Sequence, residues 1–263
     1  MKKFGIACLL CVVGLWAAAK EAPAPKPNKG RTAMVVDTCH PEKSGFVPSI
    51  RASLERAGFT VVDLVRTNTA KSVAEKLRHV DVIVFQGATF SGNRAPAGKE
   101  AMYAAAGRLR RTFHNCVFKE AVRRRKPLFG ICLGMQQINS FFGGSIVGSS
   151  SAVKKKIEPP IAHRQKARGR DATHAVSIAP GSRLARVLNR TEWRVNSFHS
   201  FAAGKVSPKL RVTATAPDGV IEAVEGKSYP VFAVQFHPEM RSGCEEESQA
   251  IFNRLMDLVN PKF

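Results

Sequence analysis

Cys132 stands between Gly130 and Gly134 in the stretch KPLFGICLGMQQINSFFGG, residues 126–144. The apolar run Leu128 to Ile131 reads as a short buried strand and Met135 to Phe142 as a helix, which puts the cysteine in the bend between them. A strand that turns this sharply into a helix strains the turn residue and pushes its side chain outward. Neighbours two positions away on each side must then be very small. G-I-C-L-G meets that demand, with sulfur where the G-x-S-x-G nucleophile elbow has oxygen. The helix N-terminus adds free N–H groups and a dipole that favour a thiolate over a thiol. The two glycines alone are equally compatible with a buried apolar cysteine in an ordinary turn, so the assignment depends on partners.

Partners come from a second strand end. VFAVQFHPEM runs through an apolar strand, Val231 to Phe236, into His237, Pro238 and Glu239. Residues two apart in extended chain project to the same side, so His237 and Glu239 can face one neighbour together. An imidazole beside Cys132 can take the thiol proton and return it to a leaving amine, while a carboxylate fixes the ring's tautomer and supports its positive charge. A lone His-Pro-Glu is most often a turn; together with the elbow it is far more specific.

The elements that must position these groups alternate strand and helix in the first half of the chain. TAMVVD, TVVDLV, DVIVF and PLFGI read as strands; VPSIRASLERAGF, SVAEKLRHV and a long segment from about Ala97 to Arg125 read as helices. This alternation predicts an α/β fold, a three-layer doubly wound and mostly parallel sheet with helices on both faces. Extra strands follow in the C-terminal half, THAVSI, WRVNS, LRVTATA, VIEAVE and VFAVQF, before a closing helix from about Glu245 to Val259. Ligands of such sheets bind beyond the carboxyl ends of the strands, where Cys132 lies.

Length and charge set the bounds. With 263 residues, 44% of them hydrophobic, the chain can build one sizeable core. Residues 1–19 have the positive, apolar and small-residue order of a secretory signal peptide, with cleavage expected after Ala19, and 20–30 form a Pro- and Lys-rich linker ahead of a domain over 31–263. The apolar run is too short to span a bilayer comfortably, so stable membrane insertion after processing is not expected and the protein is placed outside the cytosol, periplasmic or secreted. Retention of the segment as an anchor stays open. The formal charge of +21 is spread along the chain, and no recognition-helix or RNA-binding motif accompanies it, so specific nucleic-acid binding is not expected. Attraction to acidic substrates is the milder inference. Export would leave cysteines 39, 116, 132 and 244, of which Cys132 must remain unpaired to react, while the pairing of the others stays open.

Taken together, GICLGMQ and VQFHPE resemble the two signature motifs of the class I glutamine amidotransferase-like superfamily, whose triad is Cys, His and Glu in that chain order. THAVSIAPGSRL and WRVNSFHSFAAGKVSPKLRVTATAPDGVIEAVE resemble one branch of it, the γ-glutamyl-γ-aminobutyrate hydrolase-like enzymes of peptidase family C26. The resemblance runs from about residue 31 to 258 and implies Cys132 as nucleophile, His237 as base and Glu239 as the orienting carboxylate. It implies oxyanion donors at the backbone of Leu133 and near Gly87, a pocket-lining Gln136, and Ser197 and His199 close to the active site. For His199, a hydrogen-bonded structural role stands beside that one. Leu133 replaces the arginine of many branch members, Phe201 the usual glutamine, and QGATFSGN the branch's glycine- and aspartate-rich substrate loop. The implied activity is hydrolysis of a small γ-glutamyl amide through a thioester, with no metal ion and no cofactor. A homo-oligomer is compatible with it. A glutaminase subunit feeding ammonia to a synthase is the alternative, for which Leu133 speaks; a noncatalytic binder of acidic polymers is the reading from a different class.

Overall fold

The computed structural model describes residues 28–36, 46–87 and 100–263. The expected signal peptide, most of the linker and Cys39 lie outside these residues. So do residues 97–99, where the sequence reading began the long helix, and the QGATFSGN loop beyond Gly87.

Eleven strands and eight α-helices are formed among the described residues. A central sheet of nine strands has the order β2-β1-β3-β4-β11-β10-β9-β6-β7. β1 (Thr32–Val36), β2 (Thr60–Leu64), β3 (Val82–Phe85), β4 (Leu128–Ile131) and β11 (Val231–Val234) run parallel. The other four, β10 (Ile221–Gly226), β9 (Leu210–Thr215), β6 (His174–Ile178) and β7 (Glu192–Val195), extend the sheet in antiparallel fashion. A separate two-stranded ribbon pairs β5 (Ile146–Gly148) with β8 (Phe201–Ala203).

Parallel strands covered on both faces must be apolar at every position. β3, β4 and β11 are buried throughout, and β1 alternates its burial between two cores. Ala33 and Val35 enter one core with α1 (Phe46–Arg56), α6 (Arg183–Leu188), α7 (Glu246–Asn253) and α8 (Leu255–Val259). Met34 and Val36 enter the other with α2 (Ala70–Lys76), α3 (Glu100–Arg123) and α4 (Leu133–Phe141). The three-layer architecture expected from the sequence is therefore present. Phe46, Ile50 and Leu54 of α1 recur at helical spacing and all face the first core. Thr69 and Ser182 cap α2 and α6 by accepting from the N–H groups of Ser72 and Ala185.

Two features differ from the reading of the sequence. The closing helix is divided at Arg254 into α7 and α8, which lets Phe252 and Leu255 both reach the core. The β5–β8 ribbon and the four-residue α5 (Ser149–Ala152) were not expected, because three- and four-residue elements carry too little periodicity to be seen.

Register brings the candidate residues together. Phe85 of β3 pairs with Gly130 of β4, and Gly130 pairs with Ala233 of β11. Gly87, Cys132 and the Gln235–Glu239 segment thus leave the sheet from the same edge on three adjacent strands.

Candidate active site

Cys132 has φ +52° and ψ −104°, a conformation costly for a side chain with Cβ and sustained only by its surroundings. The glycines at either side explain how. A Cβ on Gly130 would lie 2.7 Å from Ile138 Cδ1 and 2.8 Å from the backbone of Met135, and one on Gly134 would collide with the Phe85 carbonyl. The bend is so tight that α4 touches both β4 and β3. Cys132 N–H donates to Val234 O at 2.8 Å, tying the elbow to the strand that leads to His237, and Gln136 N–H donates back to Cys132 O at 3.2 Å.

His237 follows β11 and sits in a buried slot. Phe46 stacks on its ring at 4.5 Å and Phe198 meets it edge-on at 5.9 Å. Its Nδ1 bonds Glu239 Oε1 at 2.7 Å, and since a carboxylate only accepts, Nδ1 is the donor. Nε2 has no oxygen or nitrogen partner among the described residues and is left for Cys132. Burial opposes a charged ring here, but Glu239 and the Cys132 sulfur outweigh it and push the His237 pKa up to about 10. The ring is thereby held as imidazolium at neutral pH.

Gly87 closes the other side. A Cβ there would come within 2.7 Å of His237 Cε1 and 3.4 Å of Cys132 Cβ, so only glycine lets the β3 terminus approach the pair. Leu133 opens α4, and N–H groups of a first helical turn have no acceptor within the helix. The two backbone positions expected to serve an oxyanion are therefore at the elbow and against it. Beside them, a cleft of about 540 Å³ between α3 and α4 is lined by Leu133, Gln137, Arg110, Arg111 and Lys119.

Other expected residues are placed differently. Gln136 is buried and its amide donates to Phe201 O at 2.6 Å and Gln235 Oε1 at 3.2 Å, bracing the elbow helix against β8 and β11. Ser197 Oγ donates to His163 O at 2.7 Å. His199 Nδ1 meets Ser149 Oγ at 3.0 Å and Phe201 O at 3.1 Å, and its Nε2 points at Glu222 Oε1, 3.4 Å away. Ser197 and His199 thus turn away from the triad into a second buried cluster with His163, His174, Asp218 and Glu222. Burial would push the Glu222 carboxyl up, yet the three imidazoles hold it well below the usual carboxylate range.

The same extended segment supplies two residues that the sequence reading passed over. Asn196 Oδ1 accepts from His237 N–H at 2.8 Å and its Nδ2 donates to His237 O at 2.9 Å, clamping the backbone that carries the ring. Phe198 packs on the ring itself. Alternation along extended chain sends 196 and 198 to one side, 197 and 199 to the other. VNSFH was the signal, read one residue out of phase.

The protein belongs to the peptidase C26 family, whose model matches residues 32–239. Among curated relatives, protein NtpR of Enterococcus hirae is 34% identical over 144 residues, 54% of this chain and 59% of that one. YvdE of Lactococcus lactis, named as glutamine amidotransferase-like, is 29% identical over 74% of this chain and 80% of its own length. The γ-glutamyl-γ-aminobutyrate hydrolase PuuD of Escherichia coli is 32% identical over 52% of this chain and 55% of its own. The match to NtpR and PuuD thus spans little more than half of their lengths. Of solved structures, PurLQS from Thermotoga maritima superposes with a TM-score of 0.59 at 18% identity, covering 88% of this chain and 99% of that one. A glutamine amidotransferase from Thermotoga maritima gives 0.55 at 13%, over 87% and 96%. These likenesses show the fold of the class I glutamine amidotransferases.

Proposed function

We propose that the protein hydrolyses γ-glutamyl amide bonds through a thioester on Cys132. The observation that carries this reading is the His237 ring, bonded to Glu239 through Nδ1, with Nε2 open toward the elbow sulfur. In the first half-reaction the thiolate adds to the γ-carbonyl carbon, and the N–H groups of Leu133 and Gly87 receive the oxyanion. Imidazolium Nε2–H passes its proton to the amine, the C–N bond breaks and the thioester forms. In the second, neutral His237 takes a proton from water, hydroxide adds to the thioester, and the C–S bond breaks to release glutamate and return the thiolate. Atoms and charge balance with water as the only co-substrate. Arg110, Arg111 and Lys119 along the neighbouring cleft suit a substrate bearing free carboxylates, such as a γ-glutamyl peptide or γ-glutamyl-aminobutyrate.

A second reading has one observation in its favour. Anthranilate synthase of Azospirillum brasilense is 28% identical over 84% of this chain, and Leu133 follows the cysteine as in glutaminase subunits. Steady-state glutamate release by the isolated protein, from γ-glutamyl peptides and from glutamine, separates the two. Turnover of γ-glutamyl peptides without a partner supports the hydrolase; cleavage of glutamine alone, and only with a synthase added, replaces it with the ammonia donor. The order of residues 1–19 supports export, so the protein from its native cell is expected to start near Lys20, and a chain starting at Met1 in the cytosol contradicts that.

A further inference from the structure

Behind the Asn196–His199 segment, four side chains converge on one oxygen. His163 Nδ1, His174 Nε2 and His199 Nε2 lie 3.4, 3.5 and 3.4 Å from Glu222 Oε1. All four residues are more than nine-tenths buried. None of these contacts is an aligned hydrogen bond: the three nitrogens and both Glu222 oxygens have no hydrogen-bond partner among the described residues. Buried polar atoms without partners are rare because each forfeits its hydration, and here five lie together.

The remaining ring nitrogens explain why hydrogen bonds fail. His163 Nε2 lies 2.8 Å from Asp218 Oδ2, and a carboxylate only accepts, so the proton is on Nε2. His199 Nδ1 lies 3.1 Å from the Phe201 carbonyl, which also only accepts, so its proton is on Nδ1. In neutral His163 and His199, the nitrogens facing Glu222 then carry lone pairs, aimed at an anionic oxygen, while His174, with neither ring nitrogen hydrogen-bonded among the described residues, is free to take either tautomer. That arrangement repels unless positive charge lies between. Two protons would supply it, as a pair of imidazoliums against the Asp218 and Glu222 carboxylates. One divalent cation supplies the same charge and uses the lone pairs as they stand.

The distances admit the cation. Four ligand atoms at about 2.1 Å from a tetrahedral zinc ion are about 3.4 Å from one another. The three nitrogen-to-oxygen separations match that edge, and the candidate atoms of His163, His174 and Glu222 all lie within 4.8 Å of one another. Metal-bound histidines typically donate their other N–H to a carboxylate or a backbone carbonyl, the roles that Asp218 and Phe201 O fill. Two imidazoles and a carboxylate suit zinc among common divalent metals.

We propose that His163, His174 and Glu222 bind a structural Zn²⁺ ion, with His199 as the third imidazole facing it. The ion would be enclosed as the chain folds. It would tie the 163 loop, β6 and β10 to the segment that clamps His237, since His163 O accepts from His199 N–H and Glu222 O accepts from Gln235 N–H, each at 2.8 Å. No step of the hydrolysis passes through it.

The test is metal content of the full chain, produced in medium supplemented with Zn²⁺ and separately with Co²⁺. Zinc at about one equivalent per chain is expected, retained in Cys132→Ser and reduced at least about tenfold in His174→Asn and Glu222→Gln. If those two variants do not fold, the cobalt-loaded Cys132→Ser chain decides. Visible d–d bands of tetrahedral intensity, unchanged from those of the parent chain and without a sulfur-to-cobalt charge-transfer band, support the site. A parent chain holding less than about a tenth of an equivalent of either metal overturns the proposal and leaves the cluster to protons. Equal metal in the parent and His174→Asn chains, or metal lost with Cys132, also overturns it.

Discussion

His237 with Glu239, and Glu222 with its three histidines, are both buried assemblies of carboxylate and imidazole, and residues 196–199 run between them. In the first, one ring nitrogen is bonded to a carboxylate and the other is left facing a thiol at the open edge of the sheet. In the second, three rings face a single carboxylate oxygen inside the antiparallel half. The groups are alike and their settings are not. A histidine becomes suited to proton transfer when one nitrogen is fixed and the other meets a reacting atom. Three histidines turned on one carboxylate can only hold charge in place.

Breaking the first assembly is expected to abolish activity and leave the second intact. His237→Ala should lower kcat/KM on the order of a thousandfold or more, because it removes both the acid and the base. Circular dichroism should show no loss of fold. An active His237→Ala chain would remove the ring from the mechanism.

Gly87→Ala follows in size. The added methyl must displace the His237 ring, which its carbon would approach to 2.7 Å, and a misplacement of this order costs about a hundredfold in kcat. An unchanged kcat would mean that β3 yields more readily than the ring.

Glu239→Gln should cost less than the loss of the ring, on the order of tenfold to a hundredfold, since an amide oxygen still accepts from Nδ1. Its sharper signature is in pH. The folded pKa of about 10 lies above the imidazole's ordinary 6.5, so the stabilisation from charged His237 is complete below about 6.5 and fades as pH rises through 10. Activity that needs imidazolium as the acid should fall over the same alkaline range. Without the Glu239 charge, both limbs should move to lower pH; an alkaline limb that stays in place would show that another group sets it.

Asn196→Ala sharpens the comparison at the smallest scale. It leaves the buried N–H of His237 without its partner and its C=O with only the longer bond from Met240 N–H, at a cost of about 1–3 kcal/mol in stability, and kcat should fall more than KM changes. Ser197→Ala, which touches only the second cluster's side of the segment, should leave kcat near the parent value. Equal losses in kcat from the two substitutions would contradict the division of this segment between two faces.

Much of this was legible from residue order. The elbow could be read because Gly130 and Gly134 are demanded by close backbone approach, and the parallel half because apolar runs at β1, β3 and β4 alternate with helical periods. His237 and Glu239 lie two apart, so their cooperation needed no tertiary information, although they meet because Glu239 sits in a one-turn 3-10 helix, Pro238–Met240, and not by the alternation of an extended strand. Asn196, Phe198 and Phe46 were missed for different reasons. In extended chain a shift of one residue exchanges faces, and VNSFH offers a serine and a histidine in one phase, an asparagine and a phenylalanine in the other. Phe46 reaches His237 only through the packing of α1 on the sheet. The Glu222 cluster draws its members from four separate stretches of chain, at 163, 174, 199 and 222, and spacing alone brings none of them together.

The central claim, a thioester on Cys132, is tested most directly by intact-protein and peptide mass spectrometry after rapid acid quench of the enzyme with a γ-glutamyl peptide. The account predicts a transient mass increase of one glutamyl group located on Cys132, absent from Cys132→Ala. No adduct during turnover, an adduct on Cys116 or Cys244, or undiminished turnover by Cys132→Ala would contradict it.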